Sequence, residues 1–318
     1  MDACAFESFL THIAQLTRAQ CARVLLVLTP IVNQAHAAEV IEQAVAPRLC
    51  CPRCQGRAFY RHGSKSGLQR FRCRSCGRTF NSLTGTPLAR LRHKSKWIEY
   101  SKCMLASHTV RKAAASVEVG KNTSQRWRHR FLTATRNDRP ACLMGIAEAD
   151  ETFLLESQKG ARKLDRPARK RGGKAKRRGI SKEHVCILVT RDRTGQTCDF
   201  VTGRGQVTAA QLKQHLRPVL ASDTLLVTDA NKAYQAFARQ TGISHAYVNV
   251  SAGEHVRGAV HVQNVNGYHS RFHQWLSGFR GVATRYLPNY LGWRWAIDQE
   301  RIHSPETLLK AAIGVFNT

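Results

Sequence analysis

The stretch IAEADETFLL, residues 146–155, begins a new pattern in the chain. Upstream of it the apolar periodicity is helical; from here on it is that of strands broken by helices. IAEADETFLL reads as a strand with Asp150 near its end. HVCILVTRD (184–192), a turn at 193–195 and QTCDFVTG (196–203) read as a hairpin. QVTAAQLKQHLRPVL (206–220) is a helix pattern, and TLLVTD (224–229) is a buried-type strand ending at Asp229. ANKAYQAFARQ (230–240) and HAYVNV (245–250) follow as helix and strand, and a final helical region starts near Gln263. Hairpin strands followed by alternating helix and strand predict a mixed α/β sheet with helices packed on it.

Strand ends are where a sheet points side chains into a shared site. Two carboxylates there, Asp150 and Asp229, could bridge two Mg²⁺ ions about 4 Å apart, one serving the attacking oxygen and one the leaving oxygen. By strand alternation Glu148 shares the face of Asp150, making it an accessory candidate, and Glu151 does not. A third acid is missing where one is wanted: between Glu254 and Asp298 the chain has no carboxylate. That gap contains HVQNVNGYHSRFHQW, residues 261–275. Glu254, in a polar loop, is one candidate for the third ligand.

Upstream, CPRCQGRAFYRHGSKSGLQRFRCRSCGRTF places Cys51-x-x-Cys54 eighteen residues before Cys73-x-x-Cys76. Two such thiolate pairs suit a tetrahedral Zn²⁺ and predict a structural zinc ribbon over 49–82, with Gly56 and Gly77 turning the backbone after each pair. Four protein ligands leave no open position for chemistry.

The chain has 50 Lys+Arg against 21 Asp+Glu, a net charge of +29. So large an excess repels itself in a compact state and calls for a polyanionic partner. From 51 to 100 there are twelve Lys+Arg and one acid, Glu99; from 162 to 182 there are eleven and one, Asp165. The first run suits phosphate contacts, and the second reads as a mobile loop that orders on DNA. The longest apolar run, VLLVLTPIV (24–32), is too short to span a bilayer, so no membrane partner is expected. MDACAFESF has no basic stretch and predicts no signal peptide. An odd count of eleven cysteines favours metal ligands and buried thiols over disulfides, hence a reducing cytoplasm.

Residues 1–48 read as helices split at Thr29-Pro30. Residues 95–134 are again helical, and HTVRKAAASVEVGKNTSQRWRHRFL (108–132) predicts a helix-turn-helix with Gly120 at the turn. Its second helix would present Lys121, Asn122, Gln125, Arg126 and Arg128 to a major groove; an ordinary helical hairpin is the other reading. Tyr286, Tyr290, Trp293 and Trp295 suit either base stacking or core packing.

The ribbon, the helix-turn-helix, EADETF, LLVTDANKAY and HVQNVNGYHSRFHQWLSGFRGVATRYLPNYLGW together resemble the insertion-sequence transposases. More narrowly, the chain is similar to the ISXO-like transposases, insertion-sequence family fifteen-ninety-five. The resemblance implies a ribonuclease-H-like core over 145–300 that includes the basic loop 162–182, followed by a tail over 301–318. It implies two Mg²⁺ or Mn²⁺ ions and double-stranded DNA, both element ends and target, as partner. It further implies a homo-oligomer on paired ends, at work near a bacterial nucleoid. One branch of the family carries Asn where others carry the third acid, and that position falls on Asn266. Seven residues on, where the family has Lys, this chain has His273; Arg271 and His273 become the candidate phosphate contacts. The competing reading is a zinc-ribbon DNA-binding protein without catalysis, a domesticated or decayed transposase. An RNA-binding factor would have no use for both strand-end aspartates.

Overall fold

The computed structural model describes residues 2–170, 172–249 and 252–316, and the chain divides into two compact units. The first takes in the N-terminal residues to Ala106, Ala113–Phe131 and the residues from His303 on; the second takes in Ser107–Lys112 and Leu132–Ile302. Arg171 of the basic loop, Val250 of HAYVNV, and Asn317 and Thr318 of the tail lie outside the described residues.

The first unit opens with helices α1 (Ala3–Ile13) and α2 (Arg18–Val45). A reciprocal pair of bonds between Thr17 and Gln20 starts α2. Contrary to expectation, Pro30 does not split it. The missing N–H costs one helix bond, at the carbonyl of Leu26, and that residue is 74% exposed, where water can serve the carbonyl. Running unbroken, the segment Arg18–Arg48 is long and apolar enough by length and composition to cross a membrane, which VLLVLTPIV alone is not. Its C-terminal part buries Ala37, Ala38, Val40, Ile41 and Val45.

Strands β1 (Phe59–Lys65), β2 (Leu68–Cys73) and β3 (Thr79–Phe80) form an antiparallel sheet in sequence order. Helices α3 (Trp97–Leu105), α4 (Val110–Ser116) and α5 (Lys121–Phe131) follow. Trp97, Tyr100, Trp127 and Phe131 pack edge to face, with ring centroids 5.2–5.9 Å apart.

Between α4 and α5 the left-handed residue is Glu118 (φ 50°), and Gly120 keeps an ordinary φ. Val119 N–H bonds the Ala114 carbonyl and Glu118 N–H the Ala115 carbonyl, a helix stop that normally puts glycine where Glu118 stands. Glu118→Gly is therefore expected to stabilise the fold by about 1 kcal/mol, seen as a higher urea midpoint at unchanged slope.

In the second unit the strands are β4 (Ile146–Leu155), β5 (His184–Asp192), β6 (Thr197–Arg204), β7 (Leu225–Asp229) and β8 (Ser244–Val248). Their order across the sheet is β6-β5-β4-β7-β8. β4 and β5, and β5 and β6, are antiparallel; β4 and β7, and β7 and β8, are parallel. A central first strand with a hairpin on one side and two parallel strands on the other is the expected ribonuclease-H-like arrangement.

Helices α6 (Ala209–Leu216) and α7 (Lys232–Thr241) cover one face, where Ala147 and Ala149 meet Leu212, Leu216, Tyr234 and Phe237. Helix α8 (Gln263–Ser277) lies along β4 on the other. Helix α9 (Leu287–Asp298) packs against a short turn at Thr135–Asn137. A Cβ on Gly292 would come within 2.6 Å of the Thr135 carbonyl oxygen and Arg136 Cα, so only glycine fits there. Tyr290, Trp293 and Trp295 are buried among Trp275 and Phe279 or beside Arg139 and Arg301; they pack the core and cannot stack on bases.

The basic loop is tied down in part: Arg166 Nε lies 2.9 Å from Glu156 Oε2, and Arg169 Nη2 lies 3.0 Å from Glu183 Oε1. The C-terminal residues expected as a tail instead return to the first unit as α10 (Pro305–Ala312), burying Leu308, Leu309, Ala311 and Ala312. Arg48 donates to the carbonyls of Gly314 and Ile313 at 2.9 and 3.2 Å, serving orphan groups at the end of α10.

Candidate metal centres

In the first unit the four sulfurs of Cys51, Cys54, Cys73 and Cys76 lie within 4.8 Å of one another. Cys51–Cys76 and Cys54–Cys73 are each 3.6 Å apart. A tetrahedral ion with Zn–S bonds near 2.3 Å requires sulfurs about 3.8 Å apart, so the cluster fits Zn²⁺ closely. Both Cys-x-x-Cys turns are built alike. Gln55 N–H bonds the Cys51 carbonyl and Gly77 N–H the Cys73 carbonyl, and both donors are left-handed, φ 58° and 68°.

Gly56 is not the residue that turns the chain. It is needed for space, because a Cβ there would stand 3.2 Å from Ser75 Oγ and 3.3 Å from the Cys54 sulfur. Backbone N–H groups of Cys76 and Ser75 help pull the Cys73 thiol down to about 6, while its contacts with neighbouring thiols help push Cys54 up to about 12. Such divergence between two thiols 3.6 Å apart is what a shared cation would remove.

In the second unit β4 and β7 pair in parallel through Glu148 and Val227. Two residues further along both strands stand Asp150 and Asp229, on the same side of the pleat. Asp150 is not at the end of its own strand, as expected; it lies where β7 stops and leaves it an open flank. Each carboxylate is oriented by a backbone donor: Asp150 Oδ1 accepts from Glu151 N–H at 2.8 Å, and Asp229 Oδ1 from Asn231 N–H at 3.0 Å. Burial, and after it the charge of Asp229, raises the Asp150 carboxyl to about 6. Two neighbouring carboxylates, that of Asp150 largely buried, could seat a hard cation.

Glu151, on the opposite face beside Tyr234, is raised to about 7, mainly by burial and less by Asp150 and Asp229. Its Oε1 is buried without a hydrogen-bond partner. Strand alternation alone places Glu151 away from the Asp150 face. Its acidic neighbours, Asp150 on the same strand and Asp229 on the adjacent one, mark it out.

Helix α8 meets β4 through a matched polar ladder. Alternate strand residues advance about 6.6 Å and four helix residues about 6 Å, so contacts repeat in step. Glu148 takes the start of α8, accepting from Asn264 and Val265 N–H at 2.8 and 3.0 Å. His269 Nδ1 lies 3.8 Å from Asp150 Oδ2, and His273 Nε2 lies 2.6 Å from Thr152 Oγ1. Burial, helped by His273, lowers His269 to about 4, so its ring is neutral at pH 7; its Nε2 is buried without a partner. Neither histidine contact was foreseen, though their four-residue spacing on the helix could have signalled it.

Asn266 is exposed on the flank of α8, one turn before His269. Among the described residues the cysteine cluster alone gathers three or more His, Cys, Asp or Glu ligand atoms this tightly, so a third ligand beside Asp150 and Asp229 must be of another type or come from farther off. Glu254 is engaged in its own loop, with Asn249 N–H at 3.3 Å and Arg257 Nη1 at 3.6 Å. Glu148, held as described, is no accessory ligand.

Of the residues expected to face DNA, Lys121, Asn122 and Arg126 are exposed on one side of α5 and Gln125 is half-buried there. Arg128 is fully buried, against expectation: it falls on the i, i+3, i+4, i+7 stripe of Ser124, Trp127 and Phe131 that faces inward. Arg271 lies 3.1 Å from Asp298, which Arg191 and Arg294 also approach. Burial lowers the pKa of His273, bonded to Thr152.

The family model of the ISXO2-like transposase domain matches residues 142–295. A protein from the transposable element ISH50 of Halobacterium salinarum is 32% identical over 250 residues, covering 76% of this chain and 82% of its own length. The insertion element iso-IS1N protein InsA of Shigella dysenteriae is 40% identical over 74 residues, 23% of this chain and 79% of its own. A pre-cleavage Mos1 transpososome is similar at 12% identity and TM-score 0.29, over 68% of this chain and 74% of that one. With a relative from a mobile element matched along most of both chains, and the family model lying across the sheet that carries Asp150 and Asp229, the chain belongs to the ISXO2-like transposases of insertion sequences.

Proposed function

We propose that the chain binds the terminal inverted repeats of its own element as double-stranded DNA and catalyses divalent-metal-dependent strand cleavage and transfer. The observation that carries this is the parallel register of β4 and β7, paired as far as Glu148 and Val227, which leaves Asp150 and Asp229 each two residues further on and close enough for the charge of one to act on the other. With Asn266 they would hold Mg²⁺ or Mn²⁺; the neutral amide holds the ion less strongly than a carboxylate would. When bound, a pair of such ions supplies charge stabilisation to the attacking and leaving oxygens of an in-line displacement.

The backbone donors at Glu151 and Asn231 keep the two carboxylates aimed, and the neutral His269 ring shields Asp150 from solvent on the α8 side. Water would open the phosphodiester at the element end, leaving a 3′-hydroxyl, which would then displace a phosphodiester oxygen of the target strand. The energy of the broken bond is conserved in the new one, so no covalent protein intermediate is required.

In this reading the cysteine cluster binds a structural Zn²⁺, and α4 and α5 act as a helix-turn-helix. Lys121, Asn122, Gln125 and Arg126 enter a major groove, and Arg271 and His273 approach a phosphate near the end. The working form is an oligomer on paired ends, at the nucleoid of a bacterial cytoplasm. A non-catalytic DNA-binding protein is the second reading, favoured by His273, whose depressed pKa leaves it neutral where the family has a cation.

DNA made from the element flanks, incubated with Mg²⁺ or Mn²⁺ and scored for nicking and joining, separates the two. Asn266→Ala is expected to cost about 10²-fold in nicking and Glu254→Ala nothing. The reverse pattern would make Glu254 the third ligand. Binding without cleavage, unrelieved by His273→Lys, would establish the non-catalytic reading.

A further inference from the structure

We infer that Glu148 is a positioning residue that sets the separation of the two halves of the metal site, an inference that rests on the function proposed above. Its side chain is completely buried, an expensive place for a charge unless several partners compensate. The partners converge from two directions. Oε2 accepts the backbone N–H groups of Asn264 and Val265, and Oε1 accepts from Asn264 Nδ2 at 2.7 Å. Arg193 Nη1, from the hairpin turn between β5 and β6, lies 2.6 Å from Oε1, and His261 Nδ1 lies 3.3 Å away.

The start of α8 depends on this arrangement. Its own cap residue, Val262, has no side chain able to bond the free N–H groups of the first turn. Glu148 does that work from another element, and its negative charge sits at the positive end of the helix dipole. Arg193 completes the connection, donating to the Ala259 carbonyl at 2.7 Å and lying 2.9 Å from His261 Nε2, so the segment leading into α8 is held by the same cation.

The spacing gives the latch its consequence. Glu148 is two residues from Asp150 on β4, and its acceptor contacts on α8 end one residue before Asn266. A single side chain thus ties the strand that carries one proposed ligand to the helix turn that carries another. The rest of α8 is held by Tyr268, whose hydroxyl donates to Asp199 at 2.8 Å, and by His273 on Thr152. Loss of the latch would therefore let the first turn drift while the helix stays docked.

Glu148→Gln is the test, because it keeps the size and one acceptor but turns a donor toward N–H groups that need an acceptor. Expected is a fall of about 10–100-fold in kcat for nicking of element-end DNA, with a matching rise in the Mn²⁺ concentration for half-maximal rate. KM for DNA should stay within about twofold, since α5 and the ribbon are untouched. Hydrogen exchange at Asn264 and Val265 should quicken about tenfold or more, with the amides of β5 unchanged. Wild-type kcat and metal response in E148Q would overturn the inference, and so would faster exchange across the whole sheet, which would mark a general packing role. If the wild-type protein itself fails to nick, the proposed function falls, and exchange alone decides the latch: equal protection of Asn264 and Val265 in both proteins overturns it.

Discussion

Asp229→Asn should abolish metal-dependent nicking of element-end DNA, by about 10³-fold or more, while leaving DNA affinity intact. Removing a ligand charge forfeits several kcal/mol of transition-state stabilisation, and each 1.36 kcal/mol is about tenfold in rate. Retained nicking would remove Asp229 from the site. The same charges act oppositely on stability. In the folded chain Asp150 titrates near 6, above its ordinary 3.8. Between those values the native state binds more protons than the unfolded one, so stability falls as pH rises through the window and the penalty persists above it. Asp150→Asn removes the whole penalty, and Asp229→Asn only the smaller share that its charge contributes. In magnesium-free, zinc-replete buffer at pH 8, both variants should melt above wild type, Asp150→Asn by more. At pH 4 the gap should narrow. A wild-type Tm independent of pH across this range would contradict the penalty placed on the buried Asp150 carboxylate.

Stripping the cysteine cluster should unfold the three-stranded sheet and, in the proposed reading, take DNA-end binding with it. The apolar cluster around the cysteines is Cys51, Cys73 and Phe80, with Leu49, Phe59, Phe71 and Cys76 at its margin, and β2 adds only the buried Leu68. That is too little to hold a sheet in water, and structural zinc contributes about 10–16 kcal/mol in comparable small modules. Cys73→Ser is the sharper experiment, because it removes one ligand and a thiol that backbone N–H groups hold below its ordinary pKa. Amide exchange over residues 59–80 should become unprotected in the variant or on chelation, zinc content should fall from one per chain, and the second unit should melt as before. Protected amides in a zinc-free ribbon would refute the metal's structural role.

Much of the architecture is legible in the sequence. The two Cys-x-x-Cys pairs, the hairpin about residues 193–195, the strand ending at Asp229 and the helix from Gln263 all appear within a residue or two of where their patterns put them. These signals are local: ligand spacing, alternation and turn chemistry act over a few residues. Errors came where a local pattern had two outcomes. Pro30 looked like a break and is an interior helix residue, and Gly120 looked like the turn residue although Glu118 occupies the left-handed position. Arg128 looked like a DNA contact because polar residues crowd α5, yet only packing decides which stripe of a short helix turns inward.

By itself, then, the sequence supplied four thiols at ribbon spacing and two strand aspartates, and only the family resemblance pointed to Asn266 as the third ligand proposed above. Tertiary structure alone decided their company. The parallel pairing of β4 with β7 joins residues 79 positions apart, and nothing in either strand names its partner. Glu148 could have been a ligand from its alternation; it became a helix anchor because Asn264, Val265 and Arg193 arrive from distant segments to meet it. Residues 303–316 carry no signal that they will return to the N-terminal helices, since an amphipathic stretch declares which face is apolar and not what will cover it. Local pattern is written in the chain because steric and hydrogen-bonding preferences act between neighbours. Choice of partner is a property of the whole fold, settled only when every buried face and every buried charge must be matched at once.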